Sequence, residues 1–212
     1  EGLRPDQPVN AIKTDLRQVG RDKEMLVWFG HSSYLIQTGG KRILVDPVFC
    51  MASPVSFVNK PFKGTDIYKL EDMPDIDYQI ISHDFSGRGL SSNQSLWASF
   101  LLQAPSQNIY IGGDGGYDTH YAEIGERFPN IDLAILENGQ YNEEWKLIHM
   151  MPEQMSQAAK DLNAKKILTV HHSKYALARH PWDESLQNAE NMRNHDSLNV
   201  LIPEIGEIVK LE

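Results

Sequence analysis

Short runs of apolar residues broken by turn residues dominate the first half of the chain. The breaks are Gly30 and the Gly39–Gly40 pair, and the runs lie at residues 25–29, 33–37 and 42–45. Runs of this length and spacing predict β-strands joined by hairpins. A further buried strand is predicted at residues 78–82. Residues 52–74 lie between the strands predicted at 42–45 and 78–82, contain prolines and have no clean hydrophobic period. They therefore indicate a long loop over the surface or over a site.

The second half of the chain alternates between apolar runs typical of strands and apolar residues at helical spacing. Pro152 stands where the first turn of a helix tolerates it, and Met155, Ala158 and Ala159 follow at helical spacing. We predict strands at residues 96–102, 108–111, 133–136 and 166–170, helices at 120–128, 152–162 and 183–195, and a final strand pair within 200–211 around Gly206. Strands first and β–α alternation later predict a mixed α/β sheet protein.

Length and composition restrict the class of protein further. The 212 residues fit one domain, with residues 1–20 as a polar surface arm. A net charge of −9 argues against nucleic-acid binding, and a single cysteine excludes a disulfide framework and a cysteine-based zinc site. The apolar runs are too short for a transmembrane span. Because the chain starts with Glu1, we expect an incomplete N-terminus, which leaves cytoplasmic or membrane-associated localisation open. The sequence does not indicate the oligomeric state.

Acidic residues and histidines follow the ends of four predicted strands. They are Asp46, the His83–Asp84 pair, Asp114, and the His171–His172 pair. The ends of strands are where an α/β sheet places its functional groups. Imidazole and carboxylate together suit zinc or a similar ion without any thiolate. The pattern therefore predicts a metal site built from several strand ends.

Ordered motifs around these positions resemble a known family. The first three are WFGHSS from Trp28, RILVDPVF from Arg42 and IISHD from Ile80; the later ones are FSGRGL, LWASF, GGDGGYDTH, IHMMPEQ and VHHSKYAL. Together they resemble the metallo-β-lactamase superfamily, closest to the branch that contains N-acylphosphatidylethanolamine-hydrolysing phospholipase D. The resemblance covers about residues 12–187 and implies a four-layer αβ/βα sandwich.

The resemblance also implies a function and a set of site residues. It suggests a metal-dependent hydrolase with two zinc ions that acts on a phosphodiester, with a small-molecule or phospholipid-like substrate and peripheral membrane contact. His83 corresponds to the first metal ligand, Asp114 to the carboxylate that bridges the two metals, and His171 to the last histidine ligand. A lactonase that acts on sugar phosphates is the alternative among relatives.

Four further residues receive expectations from the same resemblance. Asp46 and His31 are expected to support the ligands through hydrogen bonds rather than to bind metal. His149 is expected to be catalytic beside Asp114, as a general acid or a phosphate contact. His172 stands where relatives often carry an aromatic residue, so we expect a neighbour of the site rather than a ligand.

One departure from the family pattern falls at the main metal motif. The family's His-x-His-x-Asp-His begins here as Ser82-His83-Asp84, but Phe85 and the FSGRGL motif follow at once. In relatives that motif comes a few tens of residues later, after another metal-binding histidine. Several ligands are therefore missing between Asp84 and Phe85.

Two explanations of this departure compete. Either the protein lacks the segment, in which case the site is dead and the chain is a binding protein, or the complete protein carries a disordered segment that the printed sequence omits. We expect the second, because both flanks match the family in full. The free-energy cost of deleting a central part of the fold would exceed the free energy of unfolding of a domain, which is roughly 5–15 kcal/mol. We accordingly expect a spatial gap between Asp84 and Phe85.

Overall fold

A computed structural model describes residues 2–49, 59–82 and 98–211. The strands within these ranges are β1 (Met25–Trp28), β2 (Tyr34–Thr38), β3 (Lys41–Val45), β4 (Tyr78–Ile80), β5 (Phe100–Gln103), β6 (Asn108–Ile111), β7 (Leu133–Glu137), β8 (Lys166–Val170), β9 (Val200–Leu201) and β10 (Ile208–Lys210). The α-helices are α1 (His120–Arg127), α2 (Pro152–Asp161) and α3 (Glu184–His195). His83, Asp84, Phe85 and the gap expected between the last two lie outside the described residues.

The strands form two five-stranded sheets. The N-terminal sheet has the order β10-β1-β2-β3-β4 and is antiparallel except for the parallel pair β3–β4. The C-terminal sheet has the order β5-β6-β7-β8-β9, and β6, β7, β8 and β9 run parallel. Parallel neighbours end at the same edge of a sheet, so β6, β7 and β8 bring the residues that follow them together.

The core lies between the two sheets. Alternate residues of β1 point to opposite faces, so that Leu26 packs toward the C-terminal sheet and Val27 toward the other side. The three α-helices pack against the outer face of the C-terminal sheet. The outer face of the N-terminal sheet is covered by Leu16 from the N-terminal arm and by Tyr68. Two mixed sheets with helices confirm the predicted α/β fold of the metallo-β-lactamase type.

The two strands predicted within residues 200–211 are present on either side of Gly206, but they do not pair with each other. Strand β9 joins β8 at the edge of the C-terminal sheet, whereas β10 joins β1 at the edge of the N-terminal sheet. Gly206 lies in the crossing between them with φ +87°, and a Cβ there would lie 1.9 Å from the Ile12 carbonyl oxygen. Two open sheet edges were available to these short strands, and each strand completes a different one.

The helices of the described ranges are all too short and too polar to cross a bilayer. The predicted helices and the strands at residues 108–111 and 166–170 are otherwise present, with ends shifted by at most one residue. Strand β5 begins at Phe100, although residues 98 and 99 were also expected to be extended within it.

Candidate metal centre

Three acidic or histidine residues lie at the carboxyl ends of neighbouring parallel strands. Asp114 follows β6, Glu137 ends β7, and His171 follows β8. Gly113 makes the tight turn before Asp114: its φ is +64°, and a Cβ would lie 2.8 Å from the Ala98 carbonyl oxygen. Glycine therefore allows Asp114 to reach the edge where the other two side chains lie.

These side chains form a buried cluster together with His149. His171 Nδ1 lies 2.7 Å from Asp114 Oδ1 and 3.7 Å from Glu137 Oε2, while His149 Nδ1 lies 2.5 Å from Glu137 Oε2. One potential ligand atom from each of the four residues lies within 4.8 Å of all the others. Every member is at most 5% exposed. The structure thus brings two carboxylates and two imidazoles into one small volume.

The cluster carries unfavourable electrostatics of its own. Burial raises the pKa of the Glu137 carboxyl well above its usual range. The His171 imidazole opposes this rise in pKa, the Asp114 charge adds to it, and the backbone N–H groups of Met150 and Gly115 again oppose it. Two buried carboxylates side by side are costly without positive charge nearby.

This donor set fits a divalent transition metal. Imidazole nitrogen and carboxylate oxygen are the ligands that zinc takes when no thiolate is present. A dication at the cluster would also offset the charge of the two carboxylates. Asp114 and His171, which the sequence indicated as ligands, face each other here, whereas His83 lies outside the described residues.

Asp46 contacts the residue that precedes His83. Its carboxylate accepts hydrogen bonds from the Ser82 backbone N–H at 2.8 Å and from the Ser82 hydroxyl at 2.5 Å. Asp46 follows β3 and Ser82 follows β4, so this contact ties the ends of the two parallel strands together. Asp46 is therefore placed to hold Ser82, the residue next to His83 in the sequence.

His31 lies beside His171. The two rings have centroids 4.2 Å apart at an interplanar angle of 77°. The backbone N–H of His31 donates to His172 O at 2.9 Å, and that of His171 donates to His31 O at 3.0 Å. The loop after β1 thereby holds the segment that carries His171.

Three of the predicted site residues share an uncommon backbone conformation. His31, Asp46 and His171 have φ of 53°, 40° and 71°. A residue other than glycine in this region costs of the order of 1–3 kcal/mol, and such residues cluster at functional sites. The strain points to the same region as the side-chain cluster.

His172 faces away from the cluster. Its Nε2 lies 3.2 Å from Thr169 Oγ1, its Nδ1 lies 2.8 Å from Ser173 Oγ, and its ring packs against Trp28 at 4.8 Å between centroids. Burial lowers the pKa of His172 to about 3, which keeps the ring neutral. The arrangement is that of a packed core histidine, as expected for a neighbour of the site.

Glu137 is the member of the cluster that sequence reasoning missed. It is not among the predicted site residues, because the apolar run at residues 133–136 predicts a strand that ends before it. The signal was available, since a glutamate directly after four buried apolar residues stands at a strand end like Asp114 and His171.

Comparison with known proteins adds family and fold relationships. Two family models, each described as a beta-lactamase superfamily domain, match residues 82–172 and 25–93. The Outer membrane protein RomA of Klebsiella pneumoniae is 58% identical over 87 residues, which are 41% of this chain and 66% of RomA. An uncharacterized protein of Mycobacterium tuberculosis is 26% identical over 274 residues, covering 97% of this chain and 74% of that protein.

A third relative carries a functional name. The N-acyl-phosphatidylethanolamine-hydrolyzing phospholipase D 1 of Caenorhabditis elegans is 23% identical over 227 residues, which cover 71% of this chain and 64% of that protein. Both this alignment and the mycobacterial one run over more positions than this chain has residues. The two relatives therefore contain residues that have no counterpart here.

Solved structures share the fold at low sequence identity. Igni18, a metallo hydrolase from Ignicoccus hospitalis, has a TM-score of 0.59 at 18% identity over 89% of this chain and 98% of its own. The isothiocyanate hydrolase from Delia radicum gut bacteria has a TM-score of 0.62 at 17% identity over 87% of this chain and 98% of its own.

Proposed function

The chain belongs to the metallo-β-lactamase superfamily of metal-dependent hydrolases, and we propose that it hydrolyses phosphodiesters with two zinc ions held around Asp114. The observation that carries the proposal is the 2.7 Å contact between Asp114 and His171 inside a buried set of two carboxylates and two imidazoles. His83, Asp114 and His171 are the proposed ligands. When bound, the ions supply Lewis acidity and a water whose pKa is lowered toward neutrality.

The residues of the chain have separate tasks in this reaction. Asp114 carries the negative charge that lets two dications occupy neighbouring positions. His149 donates a proton to the leaving oxygen as the phosphorus–oxygen bond breaks, so that the leaving group departs as an alcohol. Asp46 and His31 hold the backbone segments that present His83 and His171.

A lipid-like diester with an acylated amine headgroup is the proposed substrate class. The name of the nematode relative motivates this choice, and the loop before His149 supports it. Leu147 on this loop is 87% exposed and Trp145 is 39% exposed, with the Trp145 ring 6.5 Å from the His149 ring. Apolar side chains beside the cluster suit an acyl chain at the membrane surface.

Metal removal and readdition test the reaction. The protein is stripped with a chelator and assayed on a chromogenic phosphodiester, bis(4-nitrophenyl) phosphate, before and after zinc is added. We expect no turnover without metal and restored turnover with zinc. Activity that survives complete metal removal, or its absence in the zinc-loaded protein, would contradict the proposal. His120→Ala, which removes a histidine outside the cluster, serves as the control.

The length of the acyl chain tests the substrate class. Leu147→Ser should raise KM for a long-chain diester and leave the rate on the small chromogenic diester unchanged. Leu70→Ser removes another exposed leucine, which is 67% exposed on the separate segment 59–82. It should change neither KM for the long-chain diester nor the rate on the chromogenic diester. Equal KM values for Leu147→Ser and the unaltered protein on the long-chain substrate would contradict a role for this loop.

We also propose that the complete protein carries residues between Asp84 and Phe85 that the printed sequence omits. Two relatives support the proposal, because their alignments with this chain contain residues that have no counterpart in it. The intact mass of the natural protein decides the matter. We expect a mass several kilodaltons above 24.1 kDa, whereas 24.1 kDa would favour an inactive binding protein that has lost ligands.

A further inference from the structure

Both oxygens of the Glu137 carboxylate are already engaged inside the cluster. Oε1 accepts a hydrogen bond from the Met150 backbone N–H at 2.7 Å, and the Gly115 backbone N–H also donates to this carboxylate. Oε2 lies 2.5 Å from His149 Nδ1 and 3.7 Å from His171 Nδ1. The nearer imidazole is therefore that of His149.

The cluster separates into two carboxylate–imidazole pairs. Asp114 is paired with His171 at 2.7 Å, and Glu137 is paired with His149 at 2.5 Å. The two rings lie 5.1 Å apart between centroids. The first pair contains the two proposed metal ligands, and the second contains the proposed proton donor.

We propose that Glu137 is a positioning residue that holds the His149 ring by Nδ1 and so directs Nε2 to the leaving oxygen of the substrate. The inference rests on the proposed function, because it assigns Glu137 a part in that same reaction. It gives Glu137 a role through His149 rather than as a ligand of the metal.

The backbone explains why this contact can orient a ring. The N–H groups of Met150 and Gly115 are fixed donors, one next to His149 along the chain and one next to Asp114. They anchor the carboxylate on a buried strand end, where both Glu137 and His149 are at most 4% exposed. A carboxylate that is held in this way leaves the imidazole one orientation, as the aspartate does in a serine protease triad.

A double-mutant cycle tests whether Glu137 acts through His149. The proteins are the complete natural protein, its Glu137→Gln and His149→Ala variants and the double variant, all loaded with zinc and assayed on the chromogenic phosphodiester. We expect Glu137→Gln to lower kcat by about 10²–10⁴-fold with KM and zinc content unchanged. In the His149→Ala background it should lower kcat no further.

Two variants complete the design. Glu137→Asp keeps the charge but is one methylene shorter, so we expect it to lower kcat as well, and it replaces Glu137→Gln if that protein does not fold. Asp132→Asn is the matched control: Asp132 accepts the Asn108 backbone N–H at 2.8 Å near the opposite end of β7. It should leave kcat unchanged.

Several results would overturn the inference. Additive effects of the two substitutions would show that Glu137 acts independently of His149. A loss of zinc in Glu137→Gln would make Glu137 a metal ligand, and an unchanged kcat would leave it without a part in turnover.

The same four proteins unfolded in urea measure the coupling between the two side chains without any reaction. A complete natural protein that is inactive on phosphodiesters contradicts the proposed function, whereas zero coupling in urea contradicts the Glu137–His149 pair.

Discussion

The two sheets contribute to the candidate metal centre in different ways. In the C-terminal sheet, parallel strands β6, β7 and β8 end side by side, and the side chains that follow or end them contact one another. In the N-terminal sheet, which is mostly antiparallel, Asp46 and the loop of His31 contact mainly backbone: Asp46 holds Ser82, and His31 holds the segment of His171. The parallel strands of the C-terminal sheet thus place reactive side chains together, while residues that follow strands of the N-terminal sheet hold the segments that carry them. Substitutions in the C-terminal sheet should therefore have the larger effects on chemistry.

The largest effect is expected for Asp114→Asn. The amide keeps the shape of the side chain but removes the charge that offsets two dications, so metal content should fall from near two to one or fewer per chain. Phosphodiesterase activity should fall by orders of magnitude. Metal analysis by mass spectrometry and the chromogenic assay measure both quantities. An Asp114→Asn protein with two metals and full activity would exclude Asp114 as the bridging residue.

The next effect in size is expected for His149→Ala in the same cluster. Turnover should slow by about 10²–10⁴-fold, because a positioned proton donor or phosphate contact typically contributes this much. Metal content should stay that of the unaltered protein, in contrast to Asp114→Asn. A variant that loses metal together with activity would place His149 among the ligands instead.

A smaller effect is expected on the other side of the comparison, for Asp46→Asn in the N-terminal sheet. Residues that hold metal ligands typically change metal affinity by about 10–100-fold when they are substituted. Zinc affinity, measured by competition with a chelator, should fall within that range. The matched control is Asp77→Asn, because Asp77 accepts the Arg42 backbone N–H at 3.0 Å near the opposite end of the same strand pair. Equal affinities for both variants would contradict the supporting role of Asp46.

A further expected effect concerns stability rather than chemistry and separates His172 from its neighbour His171. The pKa of His172 is about 3 in the folded protein, whereas an unfolded histidine titrates near 6.5. The unfolded state therefore binds the extra proton as the pH falls from 6.5 toward 3, and the folded state loses stability over this window.

His172→Phe removes this titration. Its free energy of unfolding should depend less steeply on pH between 6.5 and 3, by about 1.4 kcal/mol per pH unit. Urea unfolding at several pH values measures the difference. Parallel pH profiles for the two proteins would mean that His172 has the same pKa in the folded and the unfolded state, which would contradict this prediction.

Strand ends are the part of this structure that the sequence predicts well. The apolar runs before Asp114 and His171 locate the ends of β6 and β8, and parallel pairing then brings the two residues together. Glu137 obeys the same rule, because it follows the apolar run at residues 133–136 and stands directly before the turn residues Asn138 and Gly139.

The sheet that a terminal strand joins is not encoded in its own residues. Val200–Leu201 and Ile208–Lys210 are both short and suit any open edge, so only the positions of β8 and β1 decide their places. The 2.5 Å approach of His149 to Glu137 was not predictable from the sequence either, because eleven residues, 138–148, separate them along the chain.

The most direct test of the metal centre is an anomalous difference map, recorded at the zinc absorption edge from crystals of the zinc-loaded protein. We predict a peak within about 2.0–2.2 Å of an Asp114 carboxylate oxygen and a His171 ring nitrogen. A map whose zinc peaks all lie elsewhere, with Asp114 and His171 still paired only with each other, would contradict a metal centre at the ends of the parallel strands.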